Sequence, residues 1–163
     1  MPESPAFFRF MLEHFWLAAI LLSFVNAALM WKRSAAHRQK DSSTADGYRV
    51  LVRGFLFWGN LPWIVMGVGI LFGDVPSVFH YLHLDTSNPY ILAFYASIVI
   101  LLIAGSYWLF VGDGAEHLCN HPHFFQIGAT NPKSLKMLWL LCVAGGVVAL
   151  ILSYEMDFPV PDF

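Results

Sequence analysis

The sequence contains four long apolar stretches without a charged side chain. They run from Phe15 to Trp31, from Gly54 to Gly73, from Thr86 to Gly112 and from Met137 to Tyr154. An α-helix rises about 1.5 Å per residue and the hydrocarbon core of a bilayer is about 30 Å thick, so roughly 20 residues cross it. With their flanking turns, the stretches predict four membrane-spanning helices, over residues 10–32, 52–73, 89–112 and 135–154.

Asparagine-proline pairs and spaced glycines add local detail to this pattern. The pairs are Asn88-Pro89 and Asn131-Pro132. Because asparagine caps helix N-termini and proline suits the first helical position, the third and fourth spans are predicted to begin there. Gly69 and Gly73 form a GxxxG motif, which is typical of close helix contacts. The sequence leaves open whether that contact lies within the chain or between protomers.

Composition places the chain in lipid rather than water. Hydrophobic residues make up 58% of the 163 residues, charged residues only 12%, and the mean hydropathy is +0.60. Soluble domains usually carry about 25% charged residues, so this chain has too few to cover a water-facing surface. We therefore expect a single-domain, all-α integral membrane protein, folded as an antiparallel four-helix bundle in contact with the bilayer. A net charge of -2 without a concentrated basic face argues against a nucleic-acid partner.

Basic residues are distributed unevenly between the loops. Six of the nine lysines and arginines lie between the first and second spans: Lys32, Arg33, Arg38, Lys40, Arg49 and Arg53. Lys133 and Lys136 lie between the third and fourth spans, whereas the loop over residues 74–88 has none. Because basic loops stay in the cytoplasm, loops one and three are predicted to be cytoplasmic and both termini non-cytoplasmic. The lack of an N-x-S/T sequon is compatible with a bacterial inner membrane.

Four polar residues are expected at one depth inside the spans. Counted from the cytoplasmic ends, Asn26, Asn60, Ser106 and Cys142 lie about 8 to 10 Å below that interface. A buried amide in hydrocarbon needs a partner, so a hydrogen bond between Asn26 and Asn60 is predicted. This polar layer is interpreted as structural, in preference to a substrate or quinone contact.

A second group of candidates lies at the opposite, outer interface. Glu13 and His14 are within one turn of the start of the first span, and His80 and His83 follow Asp74 in the second loop. A short interfacial helix there would place His80 and His83 on one face. Together the four side chains form a candidate site for Zn or Cu. Haem is less favoured because only His14 lies inside a span. The structural alternative is that these side chains simply reach water at the interface.

The third loop holds a denser set of ligand-type residues, namely Glu116, His117, Cys119, His121 and His123. On a helix, His117 and His121 share a face while Cys119 points away, and Pro122 disfavours helix at His121. The set is therefore not expected to converge on one ion. A short amphipathic helix on the membrane surface is the favoured interpretation of this loop.

No motif names a reaction. The chain has no Gly-rich phosphate loop, HExxH, GxSxG or CxxC, and Cys119 and Cys142 are expected to be free thiols. The leading hypothesis is a non-enzymatic accessory or assembly subunit of a membrane complex, without a cofactor, associated with another membrane protein or with copies of itself. The alternative is a redox or metal-handling protein, binding Zn, Cu or haem at the outer interface.

Overall fold

The computed structural model describes residues 6–39, 42–122, 124 and 131–155. Its helices are α1 (Ala6–Glu13), α2 (Phe15–Arg33), α3 (Ala35–Arg38), α4 (Ser42–Phe72), a 3-10 helix (Val78–Leu82), α5 (Pro89–Phe110), α6 (Gly114–Asn120) and α7 (Pro132–Glu155). Four of them, α2, α4, α5 and α7, are long and apolar enough to cross a membrane. These described ranges contain no strand. The predicted all-α fold with four long apolar helices and short helices in loops two and three is confirmed.

Two helices depart from the predicted limits in informative ways. The first predicted span is interrupted at His14, where α1 ends and α2 begins, and His14 Nδ1 turns back to the Phe10 carbonyl at 2.9 Å. Helix α4 begins at Ser42, well before the predicted residue 52. Its polar first turns stay helical because they pack on the loops: Gly47 and Tyr48 are buried there.

Asparagine side chains cap the third and fourth spans as predicted. Asn88 Oδ1 accepts hydrogen bonds from the backbone N–H groups of Tyr90, at 3.0 Å, and Ile91, at 3.4 Å. Asn131 Oδ1 accepts one from the Lys133 N–H at 2.9 Å. These bonds satisfy N–H groups that have no partner inside a helix, so they fix where α5 and α7 begin.

Two clusters of buried side chains hold the helices together, one at each end of the spans. The loop-one cluster joins α4, α5, α6 and α7 and consists of Tyr48, Leu51, Leu109, Ala115, Leu118, Phe124 and Leu135. The loop-two cluster joins α4, the 3-10 helix and α5 and consists of Met66, Val75, Tyr81, Ile91, Phe94 and Tyr95. Helix α6 of the third loop and the 3-10 helix of the second loop therefore each pack on the ends of the spans that they connect.

The GxxxG motif makes its contact within the chain. A Cβ on Gly73 would lie 2.3 Å from Tyr90 Cδ2, and one on Gly69 would lie 2.0 Å from the Tyr81 hydroxyl. The two glycines thus admit aromatic side chains from α5 and the 3-10 helix. This answers the question that the sequence left open, and the partner is a pair of tyrosine rings rather than another helix backbone.

Helix α7 is the most peripheral span. Only 6% of its apolar segment is buried, against 22% for α4 and α5 and 11% for α2. Helix α7 is therefore the span least covered by the rest of the described chain. Near one end Trp139 packs on Gly105 of α5, and at the other the Leu84 N–H donates to the Ser153 carbonyl at 2.9 Å. The middle of α7, including Gly145, is exposed.

Candidate functional site

The polar layer inside the spans is built differently from its prediction. Asn60 is buried, and its Oδ1 accepts a hydrogen bond from the Ser23 hydroxyl at 2.6 Å. Its amide nitrogen donates to the Leu56 carbonyl at 2.6 Å. Asn26, the predicted partner, is exposed instead. The hydrogen bond between α2 and α4 therefore exists, but Ser23 makes it from three residues earlier, because Ser23 and Ala27 form the face of α2 that is buried.

The other two members of the predicted layer are not joined to Asn60. Ser106 accepts a hydrogen bond from the Trp139 indole N–H at 2.9 Å, which ties α5 to α7. Cys142 is an exposed free thiol, and Cys119 is free as well, as expected. Of the four residues, Asn60 and Ser106 thus belong to two separate helix contacts, while Asn26 and Cys142 are exposed on different helices. Hydrogen bonds of this kind between spans act as structural contacts.

The outer histidines each have local surroundings of their own. His14 Nδ1 bonds to the Phe10 carbonyl and its ring stacks on Phe10 with centroids 4.3 Å apart. His80 Nδ1 lies 3.2 Å from the Ser77 hydroxyl, while His83 Nδ1 is buried without a hydrogen-bond partner among the described residues. Glu13 is half-buried at the end of α1, which contacts the 3-10 helix.

These ligand candidates do not converge on a metal site. Within the part of the chain that the structure describes, no three His, Cys, Asp or Glu side chains come together closely enough to hold an ion. A Zn site needs three or four such ligands at about 2 Å from the metal. The zinc or copper site built from Glu13, His14, His80 and His83 remains a hypothesis without a supporting arrangement.

Tyr81 joins the second loop to α4 and α5, a role that the sequence did not indicate. Its hydroxyl donates to the Met66 carbonyl of α4 at 3.1 Å, and its own carbonyl accepts from the Tyr95 hydroxyl at 2.8 Å. Burial raises the pKa of Tyr81 to about 12, so the phenol stays protonated and keeps donating at neutral pH.

The third loop brings together two histidines and the start of α4. The rings of His117 and His121 lie 4.4 Å apart, and His121 Nδ1 donates to the His117 carbonyl at 2.6 Å. Tyr48 packs edge-on against His121, with centroids 4.9 Å apart, and its hydroxyl donates to the Pro122 carbonyl. Gly47 lies directly beneath the His121 ring. His123, the remaining histidine of the predicted set, is outside the described residues.

Burial lowers the pKa of His117. Desolvation and the neighbouring His121 hold the pKa of His117 below its ordinary value of 6.5, against the smaller opposing influence of Asp113. The Nε2 atom of His117 is buried without a hydrogen-bond partner in the described part of the chain. Burial and Glu116 raise the pKa of the Cys119 thiol, which disfavours the nucleophilic thiolate. The neutral forms of His117 and Cys119 are therefore favoured, which suits a packing role better than catalysis.

We expect the protein to lose stability in mild acid through His117. Because the pKa of His117 is lowered in the folded protein, the unfolded chain binds the proton more tightly. The free energy of unfolding therefore has its full value above about pH 6.5 and falls as the pH drops below that value. Free energies of unfolding measured in detergent between pH 7.5 and pH 5 should show this decline. The His117→Gln variant should show a shallower decline over the same range. An identical pH profile for both proteins would contradict the assignment.

Comparison with protein-family models, with curated protein sequences and with solved structures finds no match to this chain. The described residues offer packed polar contacts between spans, two adjacent histidine rings in the third loop, and one span whose middle is exposed.

Proposed function

We propose that this small four-span membrane protein is a non-enzymatic accessory or assembly subunit of a membrane complex. Two pairs of polar side chains within the spans bond each other: Ser23 with Asn60, and Trp139 with Ser106. A catalytic or transport site inside a membrane usually depends on ionisable groups within the bundle. The polar groups here instead hold neighbouring spans together, which supports a structural role.

The observation that carries this proposal is the exposed middle of α7. Leu135 and Ser153, near its two ends, are its buried residues, whereas Ala144, Gly145 and Val148 are exposed. Nothing lies within 4 Å of a Cβ built on Gly145. A glycine in a helix interior costs roughly 1 kcal/mol relative to alanine, and small residues in spans are typical of faces that meet another helix. A subunit that lays α7 against a partner span would use this feature.

The proposal includes an orientation and a compartment. The exposed side chains of Lys32, Arg33 and Arg53 lie at the same end as the loop-one cluster, and Arg49 pairs with Asp46 at 2.6 Å beside them. Positive charge at this end supports cytoplasmic first and third loops and outer termini, and the lack of an N-x-S/T sequon is compatible with a bacterial inner membrane. Reporter fusions near Arg38 should be active only with cytoplasmic reporters, and an exported reporter there would contradict the orientation.

The test is purification in mild detergent from native membranes, with Gly145→Leu as the decisive variant. We expect the unaltered chain to copurify with a stoichiometric partner, and the variant to lose it because leucine fills the exposed surface. The unfolding midpoint of the isolated variant should be unchanged or slightly raised, since the site is open within the chain and leucine has the higher helix propensity. Ile151→Ala, at an exposed apolar position 56% accessible, serves as a control on the same helix.

The alternative metal or redox role is tested in the same preparation. A fourfold variant, Glu13→Gln with His14→Gln, His80→Gln and His83→Gln, should keep the partner and the biological role if the protein is an accessory subunit. Metal analysis and the absorption spectrum should be the same for both proteins. Stoichiometric metal or haem that disappears in the fourfold variant, together with loss of the role, would replace the subunit proposal with the alternative.

A further inference from the structure

Asn26 is an amide without a partner at membrane depth. It is exposed on α2, and it makes no hydrogen bond with the residues that the structure describes. It lies seven residues before Arg33, the last residue of α2, which is about 10 Å of helix. An asparagine side chain is too short to reach water from that depth, unlike lysine or arginine.

Leaving this amide in hydrocarbon is unfavourable. A primary amide has two N–H donors and a carbonyl acceptor, and lipid tails offer partners for neither. Transfer of an amide without compensating hydrogen bonds costs on the order of several kcal/mol. Within the chain the obvious partner is already engaged, because Asn60 bonds Ser23 and Leu56. A polar group from outside the chain would supply the partner that Asn26 lacks.

A second copy of this chain supplies a matching group at the right depth. A two-fold axis along the membrane normal relates two copies of α2 without changing depth, so Asn26 of one copy meets Asn26 of the other. Each amide can then donate to the carbonyl oxygen of its counterpart. A different membrane protein would have to carry a polar side chain at that depth by coincidence.

The surface around Asn26 suits such a contact. Leu22 and Leu29, one turn on either side of it, are 61% and 40% exposed, and they continue the same stripe of the helix. Among the spans, α2 packs chiefly on α4, through Ser23 and Ala27, so this stripe is open. We propose that the protein forms a parallel homodimer in which α2 packs on α2 of the second copy through Leu22, Asn26 and Leu29.

This inference uses a different helix from the proposed function, so either can fail alone. The dimer leaves the α7 surface free for another subunit, and Gly145→Leu should not alter it. Conversely, Asn26 variants should still be able to bind a partner through α7.

The experiment measures self-association of the purified full chain in lipid nanodiscs or vesicles as the ratio of protein to lipid is varied. The Asn26→Leu variant should dissociate about 5- to 30-fold more readily, since one interhelical amide contact is worth about 1–2 kcal/mol in model spans. Asn26→Gln, which keeps the amide, should retain most of the association. Leu21→Ala is the matched control, because Leu21 is 58% exposed but lies about 140° round the helix from Asn26.

A crosslinking arm identifies the surface. In a chain with Cys119→Ser and Cys142→Ala, cysteine at position 22 should crosslink two copies, and cysteine at position 21 should not. Unfolding midpoints of Asn26→Leu should match the parent, which shows that the monomer still folds. A chain that stays monomeric at every dilution, or a dimer unaffected by Asn26→Leu, would overturn the proposal. So would a complex with a different membrane protein that depends on Asn26 while the purified chain does not self-associate.

Discussion

Replacing Gly47 with alanine is expected to destabilise the folded protein by about 1–3 kcal/mol, the usual effect of overpacking. The added Cβ would lie 1.9 Å from His121 Nε2 and 2.5 Å from Cε1, distances at which atoms cannot coexist. The ring has little room to move, because its Nδ1 is bonded to the His117 carbonyl and Tyr48 packs against its face. Equilibrium unfolding in mixed detergent micelles, followed by far-UV circular dichroism, measures the loss.

The same helix provides the control for this prediction. A Cβ placed on Gly54 would meet nothing within 4 Å, so Gly54→Ala should be neutral or stabilise by up to about 1 kcal/mol through helix propensity. Adding His121→Ala should remove most of the penalty of Gly47→Ala, because the two sites are in direct contact. Equal effects of Gly47→Ala with and without the His121 ring would show that the clash is not the cause.

The number of long helices could be predicted because lipid imposes a simple requirement. An uncharged apolar stretch of sufficient length must be helical in hydrocarbon, where each backbone group needs a hydrogen bond within its own segment. The caps at Asn88 and Asn131 are equally local, since a side chain bonds N–H groups two or three residues ahead. No knowledge of the other helices is needed for either inference.

Which polar side chains bond each other inside the bundle could not be predicted, because the pairing depends on how each helix is rotated about its own axis. Ser23 and Asn26 lie about 60° apart round α2, so a modest rotation decides which of them meets Asn60. Trp16 contributes to that rotation by packing on Gly67 of α4, a contact between residues distant in sequence. The sequence suggested that Asn26 would bond Asn60. The packing of Trp16 on Gly67 instead favours the rotation of α2 in which Ser23 bonds Asn60.

The early start of α4 was missed for a different reason. Its first turns are polar, and a search for uncharged stretches passes over them. A signal was nevertheless present, since Tyr48, Leu51 and Phe55 follow the spacing of one helix face. Tyr48 and Leu51 belong to the loop-one cluster, and Phe55 packs against it. Helical periodicity, read across the charged residues Arg49 and Arg53, would have extended the helix toward the loop.

The second large effect is expected at the end of α4 that packs on the second loop. There Gly69→Ala should lower the free energy of unfolding by about 1–3 kcal/mol. A Cβ there would lie 2.0 Å from the Tyr81 hydroxyl and 2.9 Å from Tyr90 Cβ. The hydroxyl is held by its hydrogen bond to the Met66 carbonyl, so the ring cannot withdraw without losing that bond. Displacing Tyr81 would also disturb the Tyr95 hydroxyl, which donates to its carbonyl. The unfolding free energy in mixed micelles is again the measurement.

Tyr81→Phe separates the clash from a general effect of substitution on this face. It removes the oxygen that the new methyl group at position 69 would meet, so the penalty of Gly69→Ala should be smaller in that background, although contact with Tyr90 keeps it above zero. Gly145→Ala on α7, where the space is open, should show no penalty at all. If Gly69→Ala lowers the free energy of unfolding equally with tyrosine or phenylalanine at position 81, the Tyr81 hydroxyl is not what holds the second loop against α4. The penalty would then come from the Tyr90 side chain, which lies against both glycines of the GxxxG motif.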